Sequence, residues 1–327
     1  MKYRKIVVLG ALVVSLCLTS CQSSQTLLNS YSQTELLTSS DVLSMIEAEE
    51  GEGFADDFAV VSVDENASSI DDTAVTANAA LLIQTNTNEA LYYKNIYEQV
   101  APASLTKLMT ALLILENGNL EDDITITQEM LDVNDAEAQM IGFSVGDVIN
   151  VKDMLYAMLV YSGNDASNAL AIYLSGSVDD FVILMNERAQ ELGAVHTNYV
   201  NACGLDADGH VTCAYDLYLI FSECITHEEF CEAIGLSSYV LNYTNAAGEA
   251  LSLTLTTTNL YLAGTYSVPE GIYLYGGKTG TTTNAGTCLI LYSMDEEDNT
   301  YISVILGTED KEELYEQMSI LLNMTDA

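Results

Sequence analysis

Ser104 and Lys107 stand three residues apart in the stretch "APASLTKLMTALLILE", at the head of a long apolar run. This run predicts a helix over residues 104–116, on which positions i and i+3 share a face, so the lysine amine can reach the serine hydroxyl. A serine becomes nucleophilic when a base removes its proton, and a lysine with a lowered pKa can be that base. Taken alone, however, this spacing is typical of any solvated helix face.

Two further stretches combine polar side chains in a way that suits chemistry. In "YSGNDASNALA", Ser162 and Asn164 fall in a short break between helical runs, where a hydroxyl can relay a proton and an amide can hold a carbonyl. The competing interpretation is a simple turn or helix cap, because such residues are favoured there. In "GGKTGTTTNAGTCLILY", Lys278, Thr279 and Gly280 enter an apolar strand, where they suit a ligand carboxylate. The competing interpretation is a turn before an edge strand, with a lysine that discourages strand pairing.

The order of these three motifs, SxxK, SxN and KTG, resembles the signature of penicillin-binding proteins and serine β-lactamases. Longer segments resemble one family, the D-alanyl-D-alanine carboxypeptidases. They are "PASLTKLMTALLILE", "SGNDASNALA", "LMNERAQELGAVHTNYVNACGLD", "TTTNLYLA" and "GGKTGTTTNAGTCL". The resemblance extends over residues 77–324, which is the whole portion expected to fold.

The resemblance implies an α+β fold of two lobes, an antiparallel sheet flanked by helices plus a helical lobe. It also implies a reaction, in which Ser104 attacks the carbonyl between the two terminal D-alanines of a peptidoglycan stem peptide and Lys107 accepts its proton. In the family pattern Ser162 passes a proton to the leaving amine and Asn164 orients the substrate amide. The reaction requires no metal and no cofactor, and β-lactam antibiotics are expected to act as covalent inhibitors.

The same resemblance assigns the KTG stretch to substrate binding. Lys278 and Thr279 are expected to receive the terminal carboxylate, with Gly280 beside them. The backbone amides of Ser104 and Thr281 would stabilise the oxyanion, an interaction whose loss typically slows an enzyme about 10²- to 10³-fold. If Lys278 lies near Lys107, each lysine disfavours the charged form of the other.

Departures from the family pattern are visible in the same segments. Some relatives use an arginine to bind the substrate carboxylate, but no arginine follows Arg188. Cys203 stands where histidine is frequent, and Cys213 stands where threonine is usual. Many relatives carry a second, β-rich domain and a C-terminal anchor, whereas this sequence ends at Ala327, so anchoring is expected at the other end.

That other end, "MKYRKIVVLGALVVSLCLTSC", has the basic start, apolar stretch and small residues of an export signal. Its ending resembles a lipoprotein signal, which predicts a lipidated Cys21 that holds the protein on the bacterial membrane; ordinary secretion is the alternative. Residues 22–75 are rich in Ser, Thr, Asp and Glu and predict a solvated tether. The predicted organisation is thus a signal at 1–21, a tether at 22–75 and a catalytic domain at 76–327.

Within that domain the hydrophobic pattern predicts which elements surround the motifs. Residues 77–93 are typical of a β-hairpin, and helices are predicted at 104–116, 151–161, 165–174, 181–192 and 312–324. Two apolar strands flank the acidic turn "DEEDN". Strands from both ends of the domain are therefore expected to share one sheet, with a helical insertion between them.

The charge of the chain limits its possible partners. The sequence has 48 Asp and Glu but 9 Lys and Arg, and its net charge is −39. Such a chain repels phosphate backbones, which excludes nucleic acid as a partner. Only six basic residues follow Cys21, and two of them belong to the motifs. These six residues are Lys94, Lys107, Lys152, Arg188, Lys278 and Lys311.

Three alternatives remain open from the sequence. A serine β-lactamase shares the motifs, and a surface sensor could bind penicillin or peptide without turnover. A metal-dependent peptidase would need zinc ligands, for which Cys203, His210 and Cys213 are the candidates. Export also permits disulfides, for which the close pairs are Cys203 with Cys213 and Cys224 with Cys231; free buried thiols are equally compatible with the sequence.

Overall fold

The computed structural model describes residues 75–326 apart from 134, 136 and 137. Its strands, in chain order, are β1 (Ala79–Gln84), β2 (Glu89–Lys94), β3 (Asp123–Thr125), β4 (Val148–Asn150), β5 (Ser238–Thr244), β6 (Ala250–Thr256), β7 (Tyr273–Thr282), β8 (Gly286–Met294) and β9 (Thr300–Thr308). Its helices are α1 (Lys107–Asn117), α2 (Val151–Tyr161), α3 (Asn164–Ser175), α4 (Val178–Glu191), α5 (Ala214–Cys224), α6 (Glu228–Ile234) and α7 (Lys311–Leu322).

The main sheet has five antiparallel strands in the order β2-β1-β9-β8-β7. Its central strands are apolar at almost every position because both faces are covered. Leu81 and Ile83 of β1 point into the core shared with the helical lobe, whereas Ala80 and Leu82 point into the core beneath α7. This alternation follows from the two-residue period of a strand. The strand β7 is left at one edge of the sheet.

The helical lobe is built around α1, whose residues from Lys107 to Ile114 are all buried. It packs against α3 and α5, and α2 packs against α3. A second sheet of four strands, in the order β3-β4-β5-β6, borders α2. The start of α1 and the break between α2 and α3 both face β7, so three separate stretches of the chain meet at the boundary of the lobes.

The predicted fold class is confirmed, as are the hairpin at the start, the five predicted helices and the sheet shared by both ends of the domain. One boundary differs, because α1 is preceded by a 3₁₀ turn at Ala103–Thr106 that holds Ser104. A second difference concerns the KTG stretch. It lies inside its own strand, β7, and the apolar strand that was expected to carry it is the next strand, β8.

All five cysteines in the described part of the chain are free thiols, so neither candidate disulfide is present. The thiols of the second pair donate hydrogen bonds to backbone carbonyls instead, that of Cys224 to Leu108 and that of Cys231 to Ile225. The predicted signal, Cys21 and the predicted tether up to residue 74 lie outside the described residues. Among the described helices none is long and apolar enough to cross a membrane alone; α3 and α4 pass that test only as a pair bent by 84°.

Candidate active site

Ser104 is presented by a strained turn. The preceding residue, Ala103, has a φ of 47°, a left-handed conformation that costs a non-glycine residue about 1–2 kcal/mol. The loop that holds Gly204 packs directly against this turn: a β-carbon on Gly204 would lie 1.8 Å from the carbonyl oxygen of Ala103. Gly204 also has a φ of 92°, so both its conformation and its lack of a side chain are needed. Neighbouring loops thus hold Ser104 at a fixed position ahead of α1.

Lys107 lies fully buried at the first position of α1, with its Nζ 3.0 Å from Oγ of Ser104. Two other oxygen atoms surround the same nitrogen. The side-chain oxygen of Asn164 accepts a hydrogen bond from Lys107 at 2.6 Å, and the carbonyl oxygen of Cys203 accepts another at 2.5 Å. The predicted contact between the serine and the lysine is therefore present, and it is part of a set of three.

This set of contacts determines what a neutral Lys107 can do. A neutral amine has two N–H donors and one lone pair. Since the oxygens of Asn164 and Cys203 can only accept, they take both donors, and the lone pair is left facing the hydroxyl of Ser104. Burial lowers the pKa of Lys107 from its ordinary value to about 8. A usable fraction of Lys107 is thus neutral at physiological pH.

Ser162 and Asn164 lie in the break between α2 and α3, as predicted. Ser162 ends α2 in a left-handed conformation with a φ of 69°, and Asn164 begins α3. The buried carboxylate of Asp165 fixes the opposite wall of the site, because its oxygens accept hydrogen bonds from the backbone amides of Ile141 and Gly142, each at 2.9 Å. A second loop, residues 139–142, is thereby held against this break.

On β7, Lys278 is buried and donates hydrogen bonds to Oγ of Ser162 at 2.9 Å and to the carbonyl of Thr279 at 3.0 Å. Burial lowers the pKa of Lys278 well below its ordinary value, and the positive charge of Lys107 lowers it further. An effect of one lysine on the other was expected from the sequence if the two residues lie close together. Gly280 allows β7 to lie on the turn that holds Ser104, since a β-carbon there would be 3.2 Å from the amide nitrogen of Ser104.

A cavity of about 490 Å³ opens over these residues. Members of all three motifs line it, namely Ser104, Ser162, Asn164, Thr279, Gly280 and Thr281. The two motif lysines are buried behind this wall and act on the cavity through their neighbours. Opposite walls are tied together by Asp206, which accepts hydrogen bonds from the hydroxyl of Thr282 and the backbone amide of Asn284.

Lys311 lines the same cavity and was not identified from the sequence. It is the first residue of α7, more than thirty positions beyond the KTG stretch, and it is exposed. The sequence does hold one signal for it, because it is the only basic residue after Lys278. A cation is thus available at the wall of the cavity although no arginine follows Arg188.

Both ring nitrogens of His210, which was considered as a zinc ligand, form hydrogen bonds within the protein. Its Nδ1 accepts a hydrogen bond from the backbone amide of Val200 at 2.9 Å, so its Nε2 carries the hydrogen and donates to Thr106 Oγ1 at 2.8 Å. Burial lowers the pKa of His210 to about 4. The neutral imidazole therefore braces the turn that presents Ser104, with both ring nitrogens used.

Together, the five-stranded sheet, the helical lobe and the three motifs at their boundary define the class of protein as the penicillin-binding, DD-peptidase fold. The chain belongs to the D-alanyl-D-alanine carboxypeptidase family, whose model matches residues 64–310. The resemblance found in the sequence is thereby confirmed.

Individual relatives agree with this assignment. The chain is 33% identical over 252 residues to the D-alanyl-D-alanine carboxypeptidase DacF of Bacillus subtilis, covering 76% of this chain and 61% of the relative. It is 31% identical to DacC of Escherichia coli, covering 72% of this chain and 58% of the relative. The chain thus spans about three fifths of the length of these curated relatives.

Two solved structures are similar as well. Penicillin-binding protein D2 of Listeria monocytogenes, in its cefotaxime-bound form, is 30% identical with a TM-score of 0.63, and the match covers 77% of this chain and 98% of that one. The Streptomyces K15 DD-transpeptidase is 26% identical with a TM-score of 0.71, and the match covers 78% of this chain and 98% of that one.

Proposed function

We propose that the protein is a serine D-alanyl-D-alanine carboxypeptidase that removes the terminal D-alanine from peptidoglycan stem peptides. The observation that carries this proposal is the buried Lys107 amine, 3.0 Å from Oγ of Ser104 and held by two acceptors that leave its lone pair for the hydroxyl. Membership of the carboxypeptidase family supports it too. The alternatives of a β-lactamase or a sensor without turnover gain no support from the relatives, which are named as carboxypeptidases.

In the proposed acylation, the hydroxyl proton of Ser104 passes to Lys107 while Oγ bonds to the substrate carbonyl carbon. The oxyanion lies between the turn that precedes α1 and the end of β7, where the amides of Ser104 and Thr281 are its donors. As the C–N bond breaks, the proton taken up by Lys107 passes through Ser162 to the leaving D-alanine, which makes Lys107 neutral again. The oxygen of Ser162 accepts a hydrogen bond from Lys278. Asn164 orients the substrate amide. Water then attacks the ester, with Lys107 again as base, and releases the shortened peptide.

The terminal carboxylate of the substrate is assigned to Thr279, with Lys278 contributing positive charge from behind it and Lys311, which also lines the cavity, as a further cation. The hydroxyl of Thr279 is within 2.6 Å of that of Thr258, which fixes its position on the cavity surface. A carboxylate that reaches this point also favours the charged form of Lys278, and a charged Lys278 in turn disfavours protonation of Lys107. Substrate binding and the readiness of the base are therefore linked.

The test uses two reagents on the same purified protein: a fluorescent penicillin and a peptide that ends in D-Ala-D-Ala. The wild type should be labelled at Ser104 and should release D-alanine, whereas Ser104→Ala should do neither. Ser237→Ala, at an exposed serine outside the cavity, is the matched control and should behave as the wild type. A wild type that is neither labelled nor active would refute the proposal. Labelling without D-alanine release would identify a sensor, and rapid loss of the label would identify a β-lactamase.

We further propose that the protein acts outside the cytoplasm, held on the membrane by lipid at Cys21. Support comes only from the sequence, since residues 1–74 are not described. Cells that express Cys21→Ala should lose the lipid and should release the protein into the medium. Unchanged attachment of that variant to membranes would contradict the proposal without affecting the proposed reaction.

A further inference from the structure

His196, Cys213 and Asp216 form a cluster that the proposed reaction does not use. Cys213 is the residue that caps the N-terminus of α5, Asp216 lies in the first turn of that helix, and His196 lies in the loop that precedes it. One ligand atom from each residue, a sulfur, a carboxylate oxygen and an imidazole nitrogen, lies within 4.8 Å of the other two. Cys213 and Asp216 are fully buried.

Two atoms of this cluster lack hydrogen-bond partners among the described residues. Oδ1 of Asp216 and Nδ1 of His196 are both buried and lie 3.6 Å apart, which makes them an ion pair when the imidazole is protonated. A buried carboxylate oxygen without a donor is costly, and such atoms in a folded protein call for an explanation. A cation between the two atoms would satisfy both of them at once.

We propose that His196, Cys213 and Asp216 bind a zinc ion, with water at the fourth position. Nitrogen, sulfur and carboxylate oxygen form a donor set that zinc accepts and that magnesium or calcium does not prefer. The charges also balance, because a thiolate and a carboxylate together neutralise a divalent cation. Binding replaces the thiol hydrogen by the metal, so each zinc bound releases one proton from Cys213.

The surroundings of the cluster already fix its ligands. The second oxygen of Asp216 accepts hydrogen bonds from the backbone amide of His196 at 2.8 Å and from the hydroxyl of Thr197 at 2.7 Å. The sulfur of Cys213 accepts a hydrogen bond from the amide of Asp216 at 3.5 Å. Burial and the neighbouring Asp216 carboxylate raise the pKa of the Cys213 thiol to about 12, so the metal itself must displace the thiol proton. The His196 ring packs on Tyr97, with 5.4 Å between centroids. Such contacts between a ligand side chain and its neighbours orient the ligands in zinc sites.

Zinc bound here would lie apart from the cavity at Ser104, because none of its three ligands lines that cavity. It would join the loop at residue 196 to the start of α5, next to the bridge between Val100 and Thr212 that precedes the nucleophile turn. The imidazole is 40% exposed and offers the ion a path from solvent. This inference is independent of the proposed reaction, and the metal takes no part in catalysis.

The test uses the full chain without a histidine tag, reduced and stripped of metal with a chelator. Titration with Co²⁺ should give a sulfur-to-metal charge-transfer band that saturates at one equivalent and disappears when Zn²⁺ is added. Zn²⁺ should release one proton per protein and should raise the Tm by several degrees. No band and no rise in Tm for the wild type would overturn the proposal.

Two variants and two matched controls make the test specific. Cys213→Ser should abolish the band while it preserves a good helix cap, so the variant should still fold, and His196→Asn should weaken Zn²⁺ binding at least tenfold. Cys231→Ser and His227→Asn change a thiol and an imidazole outside the cluster and should leave the titration unchanged. A Zn²⁺-induced rise in Tm that is the same in Cys213→Ser as in the wild type would also overturn the proposal.

Discussion

The acylation of Ser104 should depend on pH through a single group, Lys107. Only the neutral amine can accept the hydroxyl proton, and burial sets the pKa of this amine at about 8. The rate should therefore rise with pH up to that value and level off above it. A lysine with an ordinary pKa, near 10.5, would give a rate that continues to rise through the whole range.

The size of the effect follows from the fraction of Lys107 that is neutral. With a pKa of about 8, that fraction is about 0.01 at pH 6, 0.09 at pH 7 and 0.9 at pH 9. The second-order rate constant of acylation should thus increase about 90-fold from pH 6 to pH 9, and about tenfold of that should come between pH 6 and pH 7. The variant Lys107→Arg keeps a cation that can donate but has no neutral form, so it should acylate about 10²- to 10⁴-fold more slowly.

The assay is stopped-flow labelling by a fluorescent penicillin well below saturation, where the second-order rate constant reports the protonation of the free protein, to which the pKa of about 8 applies. Lys152→Met, at a lysine half exposed to solvent, is the control and should reproduce the wild-type profile. A profile that is flat between pH 6 and pH 9 would show that Lys107 is not the base. Acylation by Lys107→Arg within tenfold of the wild type would refute the reasoning in the same way.

Three further predictions concern the walls of the site. Gly204→Ala should lower the free energy of unfolding by more than about 3 kcal/mol and abolish penicillin labelling, because its β-carbon would collide with the carbonyl of Ala103. The control Gly264→Ala is also at a positive φ but in open space, and in denaturant unfolding it should cost only about 1 kcal/mol. Asp165→Ala should cost about 2–3 kcal/mol by the same measurement, since two backbone amides lose their acceptor, while the exposed Asp179→Ala should cost almost nothing. Lys311→Met should lower kcat/KM for D-Ala-D-Ala peptides about tenfold, through KM, if it binds the carboxylate; an unchanged KM would remove it from the site.

Elements with a strong hydrophobic period were predictable from the sequence. The first hairpin, α1, α2 and the strands β8 and β9 carry their pattern within 6 to 11 consecutive residues, and each pattern corresponds to a buried face. The second sheet was not predicted, because β3 and β4 are three residues long and β6 is exposed at almost every position. Without a buried face, a strand leaves little pattern to recognise.

Some contacts of the site were also predictable from the sequence, and others were not. Contact between Ser104 and Lys107 was predictable because the two residues are neighbours on one helical turn. Contact between Lys107 and Asn164 joins residues 57 apart in the chain, and that between Lys278 and Ser162 joins residues 116 apart. Only the resemblance to a family brought these together in advance, since spacing along a chain does not determine a distance between loops. Lys311 had no motif around it and was missed.

The sequence by itself thus determined the family, the fold class and the residue types of the site, because motif identity and hydrophobic periodicity are local properties of the chain. The tertiary structure decided the properties that give these residues their chemistry. Packing of the loop at residues 203–206 and of the start of α3 against α1 buries Lys107 and leaves its lone pair facing the Ser104 hydroxyl. The lowered pKa of that lysine results from the exclusion of water, which no single stretch of the chain can bring about on its own.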